Sequence, residues 1–69
     1  MDMRTRELIA IGAAVAANCV ASLRHHTKKA REAGIGDSII RDAVEVGREV
    51  RQGAANRLDK ERAALFQGD

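Results

Sequence analysis

Between Leu8 and Val15 the apolar residues do not keep to one side of a helix. Leu8, Ile9, Ile11 and Val15, with alanines between them, occupy the whole circumference of a helix predicted over about Arg4 to Ala17. A helix that is apolar all round is buried all round. A short chain cannot surround such a helix alone, so neighbouring subunits are expected against it. The next stretch is different: Cys19, Leu23, His26, Ala30 and Ala33 share one face, with Arg24, Thr27, Lys28, Arg31 and Glu32 on the others. This predicts an amphipathic second helix, started by Asn18 as N-cap, running to Ala33 and stopped by Gly34 in a left-handed conformation. Ile35 then packs back, and Gly36, Asp37 and Ser38 lead into a third helix. Its apolar face carries Ile40, Ala43, Val44, Gly47 and Val50, while Arg41, Asp42, Arg48 and Glu49 face water. Gln52-Gly53 is a weak point that either ends or softens the helix, since glycine costs about 1 kcal/mol against alanine. A last helical stretch is expected from about Ala54 to Phe66, apolar only at Leu58, Leu65 and Phe66 beyond its alanines.

Without proline or β-branched alternation, the fold class is all-α: a small antiparallel helical hairpin or bundle of three to four helices, forming one domain over 1–69. Composition sharpens the case for assembly. The chain is 45% apolar, but 13 of those residues are alanines, and Phe66 is the single aromatic. Domains of about 60 residues bury only some 60% of their unfolded surface and usually need a disulfide, a metal or a partner subunit. One cysteine forbids an intrachain disulfide, which leaves a homo-oligomer. The lone cysteine also suits a reducing, cytoplasmic compartment.

Charge excludes more than it assigns. Twelve basic against ten acidic residues give +2, too weak and mixed for a nucleic-acid surface, which would also need stacking aromatics. The basic run from Arg24 to Arg31 reads as a solvated face. Leu8 to Ala17 is ten residues, short of the roughly 20 needed to span a bilayer. Neither nucleic acid nor membrane is therefore expected as a partner.

The residues with chemistry are Glu7, Cys19, Ser22 and His26, spaced Glu-x11-Cys-x2-Ser-x3-His. Side chains three and four apart on a helix are neighbours, so Cys19 meets Ser22 and Ser22 meets His26. A thiol in the first turn of a helix is favoured as thiolate by the unpaired amides there. Cys19 and His26 stand two turns apart, about 10 Å along the axis, so a direct contact is not expected and Ser22 would bridge. The same residues permit blander roles: a small buried cysteine, a core histidine satisfied by Glu7, an exposed first-turn glutamate, and a serine bonded to the Asn18 carbonyl. His25 is expected to be an exposed neighbour. A Ser–His–acid hydrolase lacks a nucleophile elbow here, and a zinc site from Cys19, His26 and Glu7 lacks the usual ligand spacing. No metal or cofactor is expected.

The stretch from Glu7 to Gly47 resembles the carboxymuconolactone decarboxylase family, in particular its alkylhydroperoxidase D-like members. Their signature sets a glutamate twelve residues before a Cys-x-x-Cys and a histidine four residues after the second cysteine. Glu7, Cys19 and His26 match it, and Ser22 stands where the second cysteine belongs. The continuation HTKKAREAGIGDSIIRDAVEVG is also similar, with Ala30, Gly34, Ile40 and Ala43 in the family's positions. The resemblance implies a trimer or hexamer of helical units and peroxidase-like, antioxidant thiol chemistry. In that chemistry Cys19 is the redox thiol, His26 the base, Glu7 the group that holds the imidazole, and Ser22 a relay in place of a lost thiol. With one cysteine the dithiol cycle cannot run, so an external thiol or thioredoxin-like reductant is implied. The rival expectation is a non-catalytic helical oligomerisation module that has lost the chemistry. Decarboxylation of a lactone acid rests on the family's name alone.

Overall fold

The computed structural model describes residues 1–67; the last two positions of the expected 1–69 domain lie outside the described residues. Three helices follow one another: α1 over Met3–Ala16, α2 over Val20–Glu32 and α3 over Asp37–Leu65. Asp2 opens α1, its Oδ1 accepting the Thr5 amide at 2.7 Å. That is the N-cap bond to the third helical residue, which supplies one of the acceptors the helix start lacks.

Both short connections are built the same way. After α1, the Asn18 amide bonds the Val15 carbonyl at 3.1 Å and the Cys19 amide reaches back to Ala14 at 2.8 Å. After α2, the Gly34 amide bonds Arg31 and the Ile35 amide bonds Ala30, each at 3.0 Å. These paired bonds are the Schellman closure, whose turning residue takes a left-handed conformation. Gly34 does so with φ 82°, as its position predicts, and Asn18 does so with φ 55°. Asn18 is therefore the C-terminal stop of α1 and not the N-cap of α2; Cys19 is that N-cap, with φ −98° and ψ 95°. Asparagine is favoured at both kinds of position, which is why its type alone misplaces the boundary by one residue. Arg31 adds a two-bond clasp from α2 to Asp37 at the start of α3, at 3.0 and 3.2 Å, exposed and hence of small energetic weight.

The core is small. Ile11, Ala30, Ile35 and Ile40 form its buried centre, flanked by Leu8, Leu23, Ala43 and Val44. α1 packs on both other helices, while α2 and α3 barely meet. The α1–α3 approach is set by Gly47: a Cβ there would lie 2.4 Å from the Gly12 carbonyl oxygen and 2.8 Å from the Val15 Cβ. Buried faces are less complete than the pattern predicts. Ile9 of α1 is more than half exposed, so α1 is not enclosed by its own chain. Val46 and Val50 of α3 are exposed beside it.

Gly53 does not end α3, and the expected fourth segment is its continuation. Glycine's cost of about 1 kcal/mol falls among strong helix formers, and Gln52 bridges it by donating to Asn56 Oδ1 at 2.8 Å, one turn on. A 29-residue helix is about 43 Å long, which accounts for the 55 × 21 × 19 Å shape. Every residue from Gln52 to Leu65 is exposed, so the second half of α3 leaves the body as a bare arm.

The two glycines of α3 should respond oppositely to the same change. Gly47→Ala forces backbone apart and should destabilise by about 1–3 kcal/mol, whereas Gly53→Ala meets open space and should stabilise by about 0.5–1 kcal/mol. Urea denaturation of both variants checks the signs.

Candidate functional site

Glu7 occupies the turn of α1 that faces the middle of α2. It is 3% exposed, the one buried charged side chain among the described residues. A buried carboxylate must find partners, and Glu7 finds one donor and one positive charge on α2. His26 donates from Nδ1 to Oε2 at 2.6 Å, and the Lys29 ammonium stands 3.8 Å from Oε1. His26 and Lys29 are three apart and so share a helix face. An ionised carboxylate only accepts, so the proton sits on Nδ1 and the second ring nitrogen, Nε2, is left to act elsewhere. The His26 hydrogen bond first, then the surrounding positive charge, outweigh burial and hold the Glu7 carboxyl below its ordinary range. Lys29 was not among the residues singled out by spacing; its place three after His26 was the available signal. His25 lies outside the pair, exposed, its ring edge-on to His26 with centroids 4.9 Å apart.

Cys19 and Ser22 make a second pair one turn earlier on α2. The Cys19 thiol donates to Ser22 Oγ at 3.0 Å; in the thiolate form the hydroxyl reverses and donates to sulfur. Cys19 sits at the N-cap itself, a residue before the first turn where the pattern places it, because the α1 closure ends on its amide. Its thiol is held below the ordinary range by the Ser22 hydroxyl first, then by the Ser22 and Ala21 amides at the open helix end, against a smaller effect of burial. Ser22 stands in the first turn of α2 and does not bond the Asn18 carbonyl.

The four predicted residues thus form two bonded pairs, Glu7–His26 and Cys19–Ser22. No hydrogen bond joins Ser22 to His26 among the described residues. The pairs also open on different hollows. Cys19 lines one of about 330 Å³ between the end of α1, the start of α2 and the middle of α3, with Val15, Leu23, Val44 and Arg51. Glu7 and His26 line another of about 520 Å³ beside Met3, Arg6, Ala10 and Lys29. Arg51 escaped the sequence reading altogether. It donates from Nη1 to Asn18 Oδ1 at 2.9 Å and approaches the Val15 carbonyl at 3.4 Å, binding α3 to the turn that presents the thiol. No cluster of three or more histidine, cysteine or acidic residues suited to a metal occurs among the described residues.

Because the folded Glu7 carboxyl titrates below its unfolded value, it contributes stability that is complete above the unfolded pKa and disappears as pH falls through the folded one. Wild type should therefore exceed Glu7→Gln in melting temperature at neutral pH, and the gap should close on acidification below the ordinary glutamate value of 4.5. Paired thermal melts across that range read the difference directly.

Comparison with known proteins bears on the same residues. No curated protein and no solved structure gives a significant match. The family model described as carboxymuconolactone decarboxylase family matches residues 1–65, which span α1, both turns and all of α3. A match over nearly the whole chain shows the family: the protein belongs to the carboxymuconolactone decarboxylase family.

Proposed function

We propose that this protein is a single-thiol, alkylhydroperoxidase-like oxidoreductase with an antioxidant role in the reducing cytoplasm. The observation that carries the proposal is Cys19, a thiol at a helix N-cap, bonded to a hydroxyl at 3.0 Å and lining an open hollow. Stabilised as thiolate, its sulfur attacks the terminal oxygen of a hydroperoxide. The O–O bond breaks, the terminal oxygen and its hydrogen pass to sulfur as sulfenic acid, and the alkoxide takes a proton to leave as alcohol. An external thiol, small or thioredoxin-like, then displaces water from the sulfenic acid to give a mixed disulfide. A second external thiol releases Cys19 and carries away the oxidised pair. His26, fixed through Nδ1 by Glu7, leaves Nε2 to exchange protons. With about 10 Å of helix between His26 and Cys19 and no bond from Ser22 to the imidazole among the described residues, that exchange runs through water.

The assembly belongs to the same proposal. A hollow of about 530 Å³, walled by Leu8, Ile9, Ala13, Val46, Gly47 and Val50, leaves a nearly unbroken apolar face on α1 and α3. Exposed apolar surface of this kind marks an interface, and a homo-oligomer, trimer or hexamer, would cover it and enclose α1. The second reading, a helical assembly module without chemistry, is favoured by one specific observation: the thiol and the imidazole open on different hollows.

Two outcomes separate the readings. In the peroxidase, alkylation of Cys19 follows a pH midpoint below the ordinary thiol's, Ser22→Ala moves it upward, and peroxide yields a sulfenic acid trapped by dimedone. His26→Ala then slows oxidation on the order of a hundredfold, the lower range for lost proton transfer; equal rates with and without His26 remove the histidine from the mechanism, and an inert thiol leaves only the module. For the assembly, sedimentation of wild type should give a trimer or larger, and Val46→Glu with Val50→Glu should yield subunits. A monomeric wild type removes the oligomer.

A further inference from the structure

The hollow beside Cys19 holds a positive charge that its own walls do not neutralise. Arg51 enters from α3 half-buried, and its Nη1 meets only neutral oxygens, Asn18 Oδ1 at 2.9 Å and the Val15 carbonyl at 3.4 Å. No carboxylate pairs with Arg51 among the described residues, and no hydrogen bond there engages Nε or Nη2. Arg48, on the same rim, differs, since Glu45 takes its Nη1 at 2.8 Å. A guanidinium donates five N–H groups in a planar fork that matches a carboxylate. In Arg51 the two carbonyl oxygens hold one corner of that fork still, while the remaining donors are left open to solvent. Arginine pinned in this way loses less freedom on meeting an anion than a mobile surface side chain would.

Apart from Asn18, Arg48 and the thiol, the rest of the hollow's lining is apolar. Val20, Leu23 and Val44 line it together with Cys19, and its volume of about 330 Å³ falls at the small end of the range for pockets that hold small organic ligands. A body of a few carbons fits such a space.

We propose that this hollow binds a short aliphatic carboxylate, its head on the unused edge of Arg51 and its tail along Leu23 and Val44, so that a hydroperoxide on that tail is delivered to the Cys19 sulfur. The substrate class is then an organic hydroperoxide bearing a carboxylate. The reacting end rests on the thiol-peroxidase reading above; the anion seat rests on Arg51 and the hollow alone.

A matched pair of peroxides tests the substrate class: tert-amyl hydroperoxide and its analogue carrying a terminal carboxylate. Dimedone trapping with intact-mass readout gives the rate constant of Cys19 oxidation by each. At low salt the carboxylate analogue should react about tenfold faster, the scale of one charge-assisted bond. The advantage, taken as the ratio of the two rate constants within each variant so that a general change in Cys19 reactivity cancels, should shrink as salt rises, vanish in Arg51→Gln and survive in part in Arg51→Lys. Equal rates for the two peroxides in wild type overturn the substrate class.

The seat is tested separately, without the thiol. Isocaproate titrated into Cys19→Ser protein should shift the amide resonances of Val20 and Leu23 to saturation. Isocaproamide should not, and Arg51→Gln should abolish the response to isocaproate. Should neither peroxide oxidise Cys19 while isocaproate still binds through Arg51, the peroxidase reading fails and the anion seat stands. Saturation by the amide as readily as by the acid, or isocaproate binding unaffected by Arg51→Gln, overturns the seat.

Discussion

A carboxylate sunk between two helices has to be met by donors, and the pairing of α1 with α2 is organised around that requirement. Glu7 is 3% exposed yet charged, and the Nδ1–H of His26 reaches it at 2.6 Å. In a core of four isoleucine and alanine centres, few apolar contacts compete to set the register of α2 against α1. Sliding α2 by one residue would carry His26 away and strand the charge, so the bond fixes where along α1 the second helix lies. It also settles the tautomer of His26, which makes one bond structural and leaves the other ring nitrogen for chemistry.

The thiol is positioned by different means. Cys19 owes its place to the way α1 stops: the closure through Asn18 brings the Cys19 amide back onto Ala14 and makes the same residue the cap of α2. Arg51 fastens that turn to α3 through the Asn18 side chain. Two of the three helices therefore converge on the sulfur's backbone, although among the described residues only Ser22 touches the sulfur by a side-chain hydrogen bond. The Glu7–His26 pair and the Cys19–Ser22 pair share one helix, so any relation between them is carried by the rigidity of α2.

A compact half and a bare half divide the molecule. Near Gly47 the helices approach as closely as their backbones permit. From Gln52 to Leu65 every residue of α3 is exposed. Isolated helices of such length are marginal in water, and the uncovered apolar face of α1 and α3 lies alongside the root of the arm. Burial that a single subunit leaves undone is what an assembly would complete.

The all-α class, the stop at Gly34, the apolar face of α3 around Gly47 and the Glu7–His26 pairing were legible in the sequence, because each rests on local periodicity or on a motif of fixed spacing. Asn18 was not read correctly, since its amide side chain suits the beginning and the end of a helix equally and only the backbone bonds around it decide. Gly53 looked like a break because propensity weighs one residue, whereas the helix sums over its neighbours. Arg51 reaches its partner across helices, from 33 positions beyond Asn18, and no spacing rule spans that distance, whereas Lys29 stands three after His26, a signal the four-residue motif leaves unused. Residue types and their local order settled which groups could ionise, bond and turn the chain. The tertiary structure alone decided that thiol and imidazole form separate pairs, because side-chain direction depends on where α1 and α3 press against α2.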